Sequence, residues 1–461
     1  MRKEKDSMGT VSVPDNSYYG AQTQRAIDNF NVSGIMLSDA MIKALGMIKK
    51  SAAIVNCNLG LLDNDRRDAI IKAADEVIDG KFNDQFLIDI FQTGSGTSSN
   101  MNCNEIIANR ASEILGGEIG SREPVHPNNH VNLGQSSNDV IPTAIHVAAN
   151  IKIQNELIPV LLILSEEINN KAEEFNDIIK IGRTHLQDAT PITLGQEFSG
   201  YAQMINNGIE RLKNTKRYLS EIAQGGTAVG TGLNTKKNFG KLMADQISKM
   251  SGVKFMEAPN HFEAQASQDA AVETSGTLKA VAVSLSKIAN DIRWMGSGPR
   301  SGIGELILPA VQPGSSIMPG KVNPVICESM IQICAQVIGN DVTITLGGQG
   351  GVFELNMMLP LIAHNLLESI EILSTGSNMF TNKLIKGLSA NKDKCFGYIE
   401  GSLAMCTSLA PVIGYDKAAE VAHKAYETGM TIKEICIKEK LLDQGKLDEL
   451  LDPKAMIKPT D

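Results

Sequence analysis

Four stretches of the chain repeat apolar residues at three- and four-residue steps for 25 residues or more, and this period limits the fold more than any other feature. They run from Ile141 to Phe175, from Ala266 to Met295, from Pro324 to Gly348 and from Leu359 to about Lys386. An apolar stripe of that period and length is buried most readily against other helices, so the pattern predicts a bundle of long helices. Pro142 stands where the first stretch would take its first helical turn, and Pro159 predicts a kink or break within it. Aromatic residues make up 4% of the chain against 19 methionines, which points to an aliphatic core of the kind that packs helix on helix. Strand signals are short, near Thr10–Val13 and Ile178–Ile181. The fold class expected is all-α in the main.

Texture divides the 461 residues into three domains. Residues 1–138 mix shorter helical patterns with loops rich in Gly, Asn, Ser and Thr, residues 139–389 hold the long helices, and residues 390–461 form a small Lys/Glu-rich helical tail. Several function classes recede. A formal charge of −9 without a basic block argues against a nucleic-acid partner. The longest uninterrupted apolar run, Ile158–Leu164, falls far short of the roughly 20 residues a bilayer needs, so no membrane span is expected. The opening MRKEKDSMGT has no apolar segment behind its charges, so no secretory signal is expected and the location expected is cytoplasmic. Seven scattered cysteines without a CxxC pair read as reduced thiols, and seven histidines without paired spacing give no metal site.

Four polar islands interrupt the helical text: Thr93–Glu105, His126–Asp139, Gly182–Pro191 and Pro313–Pro324. Each alone has an ordinary explanation as a helix cap, a turn or a surface histidine. Together they concentrate hydroxyls, amides and backbone N–H groups with the cations Arg183 and Lys321 and the imidazoles of His126, His130 and His185. A phosphate loop does not fit. Gly314 to Lys321 has five residues between its glycines where four are required, and Val322 stands where Mg²⁺ would need a hydroxyl. Gly94–Ser95–Gly96 lacks the third glycine and the βαβ setting of a dinucleotide site. Donors and cations without a nucleophile triad, metal or phosphate loop suggest a pocket for a small carboxylate, with proton transfer beside it. Removing a C–H proton next to a carboxylate creates a doubly charged enolate-like species, which preorganised donors and a cation must stabilise. Lys321, Asn323 and the backbone of the Gly314–Lys321 loop are of that kind, and His185 could serve as acid or base.

The segment GSSIMPGKVNP, residues 314–324, resembles the signature of the fumarase/aspartase superfamily, and the other three islands resemble its remaining active-site segments. The likeness runs from about Ser12 to about Leu450. Ser136–Ser137, Gly320, Gly304–Glu305–Leu306 and Ile413–Gly414–Tyr415–Asp416–Lys417–Ala418 bring it closer to the class II fumarases than to the aspartases. This resemblance implies reversible hydration of fumarate to (S)-malate by acid–base catalysis through a carboxylate-stabilised carbanion, with aspartate ammonia-lyase as the alternative. It implies Ser315 as the base, with His185 working with Glu328 on the water. It implies Lys321 and Asn323 as holders of a substrate carboxylate, with Ser95, Thr97, Ser136, Ser137, Asn138 and Thr184 as the remaining binding shell. His126, Asn128 and Asn129 match a second, outer anion site; many relatives carry Asp at the position of Asn129. The family implies no cofactor and no metal. It also implies a small dicarboxylate substrate and a homotetramer whose core is a twenty-helix bundle, with each active site shared by three protomers.

Overall fold

The computed structural model describes residues 1–459 and is predominantly helical. An antiparallel hairpin of β1 (Arg2–Asp6) and β2 (Gly9–Val13) opens the chain. Helices α1 (Ala21–Asn29), α2 (Asp39–Asn58), α3 (Asn64–Ile78), α4 (Thr97–Ile114) and α5 (Ser137–Lys152) follow. Next come α6 (Ile158–Glu174), a second hairpin of β3 (Ile179–Thr184) and β4 (Gln187–Thr193), and α7 (Leu194–Leu219). Then come α8 (Phe239–Ser251), α9 (His261–Ala266), α10 (Asp269–Met295), α11 (Val325–Gly348) and α12 (Leu359–Lys383), with five shorter helices between Lys392 and Leu450. The expected short strands are present in β2 and β3, and the four long periodic stretches are helices. A fifth long helix, α7, escaped the pattern because its buried stripe (Phe198, Tyr201, Ile205, Ile209, Leu212) is separated by charged and amide side chains.

The chain divides into two compact units. Residues 1–159, 210–282 and 335–374 form one, and residues 160–209, 283–334 and from 375 on form the other. In the first, every residue of α5 from Asp139 to Asn150 is buried, the polar Asp139, Thr143, His146 and Asn150 included, so this helix acts as a core rod. In the second, Ile181 of β3 packs with Ile399, Met405, Leu409, Val421, Ile435 and Leu447 of the C-terminal helices, which anchors the β3–β4 hairpin.

The two prolines act differently from each other. Pro142, expected at a first turn, lies inside α5, which begins earlier at the Ser136 cap. Ahead of Pro159 the backbone widens into a π-turn over Ile153–Leu157, the usual accommodation of a ring that has no N–H to give and crowds the preceding carbonyl. The helical run Ser137–Glu174 is long and apolar enough, by length and composition, to cross a membrane. Counting only unbroken apolar residues concealed this. Half of its most apolar 18-residue window is buried inside the protein, as in the core helix of a globular chain. All seven cysteines are free thiols.

Candidate active site

Two of the islands converge in the first unit. Gly96, with a positive φ of 70°, caps α4, so Thr97 is the first helical residue. Ser136 caps α5 in a capping box: its Oγ accepts from Asn138 N at 3.2 Å, and Asp139 Oδ1 accepts from Ser136 N at 2.9 Å. The two helix N-termini meet through hydroxyls, with Thr97 Oγ1 2.6 Å from Ser137 Oγ and 2.8 Å from Ser95 Oγ. Asn138 donates its amide to Ala228 O at 2.8 Å, and Asp139 Oδ2 accepts from Thr227 N at 2.9 Å, fixing the neighbouring loop. Burial pushes the Asp139 carboxyl up to about 7, against these backbone donors. Thr97, Ser136 and Ser137 line a cleft of about 700 Å³ together with Asn128 and Asn129 of the expected outer site. No charged side chain is among its lining residues. Paired helix N-termini and a wall of hydroxyl and amide donors suit a small anion.

His126 caps the turn that carries the outer residues: its Nδ1 accepts from Asn128 N at 3.1 Å and Asn129 N at 3.2 Å. Burial, aided by the Arg122 charge, holds its imidazole below the usual range, in keeping with an unprotonated Nδ1. Gly94 braces the first island from behind. A Cβ there would lie 2.0 Å from Met357 O, while Gly94 O accepts from Leu359 N at 3.0 Å. Gly94→Ala should therefore destabilise the fold by about 1–3 kcal/mol, read as a lowered thermal midpoint.

The second unit carries the other two islands. Thr184 ends β3, and His185 and Leu186 form the two-residue turn to β4, with φ values of 57° and 59°. Two consecutive left-handed residues are what this hairpin geometry requires, and asparagine–glycine is its usual occupant. Arg183, two residues before the turn, forms an ion pair with the buried Glu305 at 2.9 Å and so ties the strand down behind the exposed turn. In the fourth island, Ser315 Oγ accepts from Ile317 N at 3.2 Å and Met318 N at 3.0 Å. Gly314 N donates to Lys321 O at 2.8 Å and Asn323 Nδ2 to Gly314 O at 2.6 Å, closing the loop on itself. Lys321 is exposed and Glu328 half-buried in the first turn of α11. Within one chain, no hydrogen bond or ion pair joins His185 to Glu328 among the described residues.

One feature of the site that motif matching passed over is Lys49, a fully buried ammonium beneath the cleft. Its signal was available in the sequence: in MIKKSAAIV it falls on the same helical face as Leu45 and Ala52, where a core residue belongs.

Residues 9–339 match the protein family described as Lyase, and residues 405–458 match the one described as Fumarase C C-terminus. The chain is 52% identical over 462 residues to the mitochondrial fumarate hydratase of Rhizopus oryzae, covering 100% of this chain and 93% of that one. It is 52% identical over 455 residues to the class II fumarate hydratase of Nitrosomonas europaea, covering 99% and 98%. The crystal structure of class II fumarase from Schistosoma mansoni superposes with a TM-score of 0.98 at 40% identity, covering both chains completely.

Proposed function

The chain belongs to the lyase family as a class II fumarate hydratase and interconverts fumarate and malate, and on that premise we propose that Ser315 takes the C3 proton of malate while His185, with Glu328, handles the water. The observation that carries this reading is the pair of backbone N–H groups directed at Ser315 Oγ. A serine hydroxyl is too weak an acid to be charged in water, and donors to its oxygen favour the charged form. In the dehydration direction, the C3–H bond breaks toward Ser315 and the electron pair spreads into the neighbouring carboxylate. Lys321 and Asn323 hold that carboxylate; Asn323 has a second amide hydrogen beyond the one spent on Gly314 O. The C2–O bond then breaks, and the leaving hydroxyl takes a proton from the His185 side to depart as water. Ser95, Thr97, Ser136, Ser137, Asn138 and Thr184 orient the dicarboxylate, and Asn128 and Asn129 on the cleft wall, with His126 capping their turn, form an outer anion site. The three-domain division at 1–138, 139–389 and 390–461 belongs to this proposal, as do a tricarboxylic acid cycle role and a cytoplasmic location; relatives named as mitochondrial are among those matched.

We further propose a homotetramer in which three protomers complete each site. The exposed side of α11 supports it: Ala335, Ile338, Gly339, Val342 and Leu346 recur at helical spacing, with Val342 57% and Leu346 59% accessible. A stripe of that kind on a long helix calls for a partner helix. The protein should elute near 200 kDa, four chains of 49.6 kDa. Val342→Glu with Leu346→Glu should yield smaller, inactive species. Full activity in a monomer would refute the shared site.

Purified protein should dehydrate malate rapidly, unaffected by a chelator, and release negligible ammonia from aspartate. Ammonia release outpacing malate dehydration at saturating substrate would move the assignment to the ammonia-lyases.

A further inference from the structure

Lys49 lies in the middle of α2, wholly buried, and its three ammonium protons meet three oxygens: Asn100 Oδ1 at 2.7 Å, Asn132 Oδ1 at 3.0 Å and Gln135 Oε1 at 3.1 Å. All three are amide carbonyls and none is a carboxylate. Lys50, its neighbour, shows the ordinary alternative, pairing with Asp75 at 2.6 Å nearer the surface. A buried cation without a contacting counter-ion is costly to keep, and hydrogen bonds alone recover only part of its lost hydration. The same three amides line the cleft whose walls carry no charge. Their other ends hold the loop in shape. Asn132 donates to Gln135 O at 3.0 Å, and Gln135 donates to Val131 O at 3.0 Å. That loop leads directly into the Ser136 cap of α5.

We propose that Lys49 is a positioning residue for the dicarboxylate: its ammonium fixes the Asn132–Gln135 loop under Ser136 and Ser137 and places a positive charge that no carboxylate contacts beneath the cleft that receives the dianion. This rests on the hydratase reading above. An ammonium offers only protons, so it sets the orientation of each amide, turning every carbonyl inward and every N–H₂ away. The titratable groups acting on it from the packed elements are Cys103 of α4, whose thiol burial pushes up to about 12, and Asp139 of α5. Burial lowers the Lys49 ammonium to about 8 despite both. Deprotonation above that pH removes the charge, whereas a bound dianion holds the proton on.

Lys49→Met keeps an unbranched side chain one atom shorter and removes the charge together with the three N–H donors to Asn100, Asn132 and Gln135. The variant should assemble as the parent does and raise KM for malate by roughly tenfold, the loss of one charge-assisted interaction, with kcat changed much less. KM of the parent should rise between pH 8 and 9, and KM of the variant should stay flat there. A folded variant with the parent's KM and the parent's pH profile overturns the proposal. Should the variant fail to fold, the parent supplies the test: calorimetry with succinate in two buffers of different ionisation heat should show proton uptake on binding at pH 8.5, where an ordinary imidazole is already neutral. No uptake overturns it. An active parent with an indifferent Lys49 refutes this inference alone, whereas a parent that leaves malate untouched refutes the reading beneath it.

Discussion

Replacing Ser315 by alanine should leave the protein folded and assembled as the parent is while turnover on malate falls on the order of 10⁴-fold, the upper end for loss of a group that moves a proton in the transition state. The loop around Ser315 is shaped by its backbone. Gly314 N reaches Lys321 O, Asn323 reaches back to Gly314 O, and a Cβ on Gly314 would stand 2.6 Å from Lys321 O. The Ser315 hydroxyl therefore contributes little to closing the loop, and it borders solvent, so its removal leaves no core cavity. What it does receive is two N–H bonds on one oxygen. A serine at the start of a tight turn can adopt the same arrangement without any catalytic purpose, and the substitution separates the two meanings. A turn residue would be missed as a small loss of stability. A base would be missed in the chemistry, including exchange of the malate C3 proton with solvent deuterium, which needs only the first half of the reaction. A variant that keeps most of its turnover and exchange would transfer the base role to another group, His185 being the nearest in kind.

Much of the fold was legible because the physics that makes it is local. The apolar period of α5, α10, α11 and α12 reports helix and burial together, although it places the start of α5 too late, at Pro142, because the Ser136–Asp139 capping box lies within a polar island. What stayed hidden has other causes. Helix α7 buries a narrow stripe and shows its charges to solvent, so its mean composition reads as surface. The run Ser137–Glu174 passes through polar residues that are buried, such as Asn150 and Thr143, and a count of unbroken apolar letters stops at each. Lys49 was hidden by its type, since lysine on a helix is ordinarily a solvated residue. The two donors to Ser315 are backbone groups, which no side-chain motif names individually. Apart from the core-facing position of Lys49 between Leu45 and Ala52, these are properties of the packed chain.

Changing His185 to asparagine should lower turnover on the order of 10²–10⁴-fold while stability stays equal or rises, and that opposition of signs is the useful part of the prediction. His185 and Leu186 both hold positive φ in a two-residue turn, a conformation that costs non-glycine residues on the order of 1–3 kcal/mol each. Asparagine enters the left-handed region at least as readily as histidine, so it relieves the backbone or leaves it alone. Strain retained at an exposed turn needs a reason outside the turn. Leu186 is 63% accessible and His185 is exposed beside it, so neither is kept for packing within its own chain. Glu328, half-buried on α11, is the proposed partner, met in the proposed tetramer where a carboxylate would orient the imidazole and strengthen it as a base. Glu328→Gln should then depress turnover in the same range, and the double variant should be little worse than either single one, because two groups acting as a unit fail together. Kinetics on the three variants beside their thermal midpoints decide the matter. Unchanged turnover with a lowered midpoint would make His185 a structural residue, whereas losses that multiply in the double variant would keep both residues in the reaction but separate their tasks.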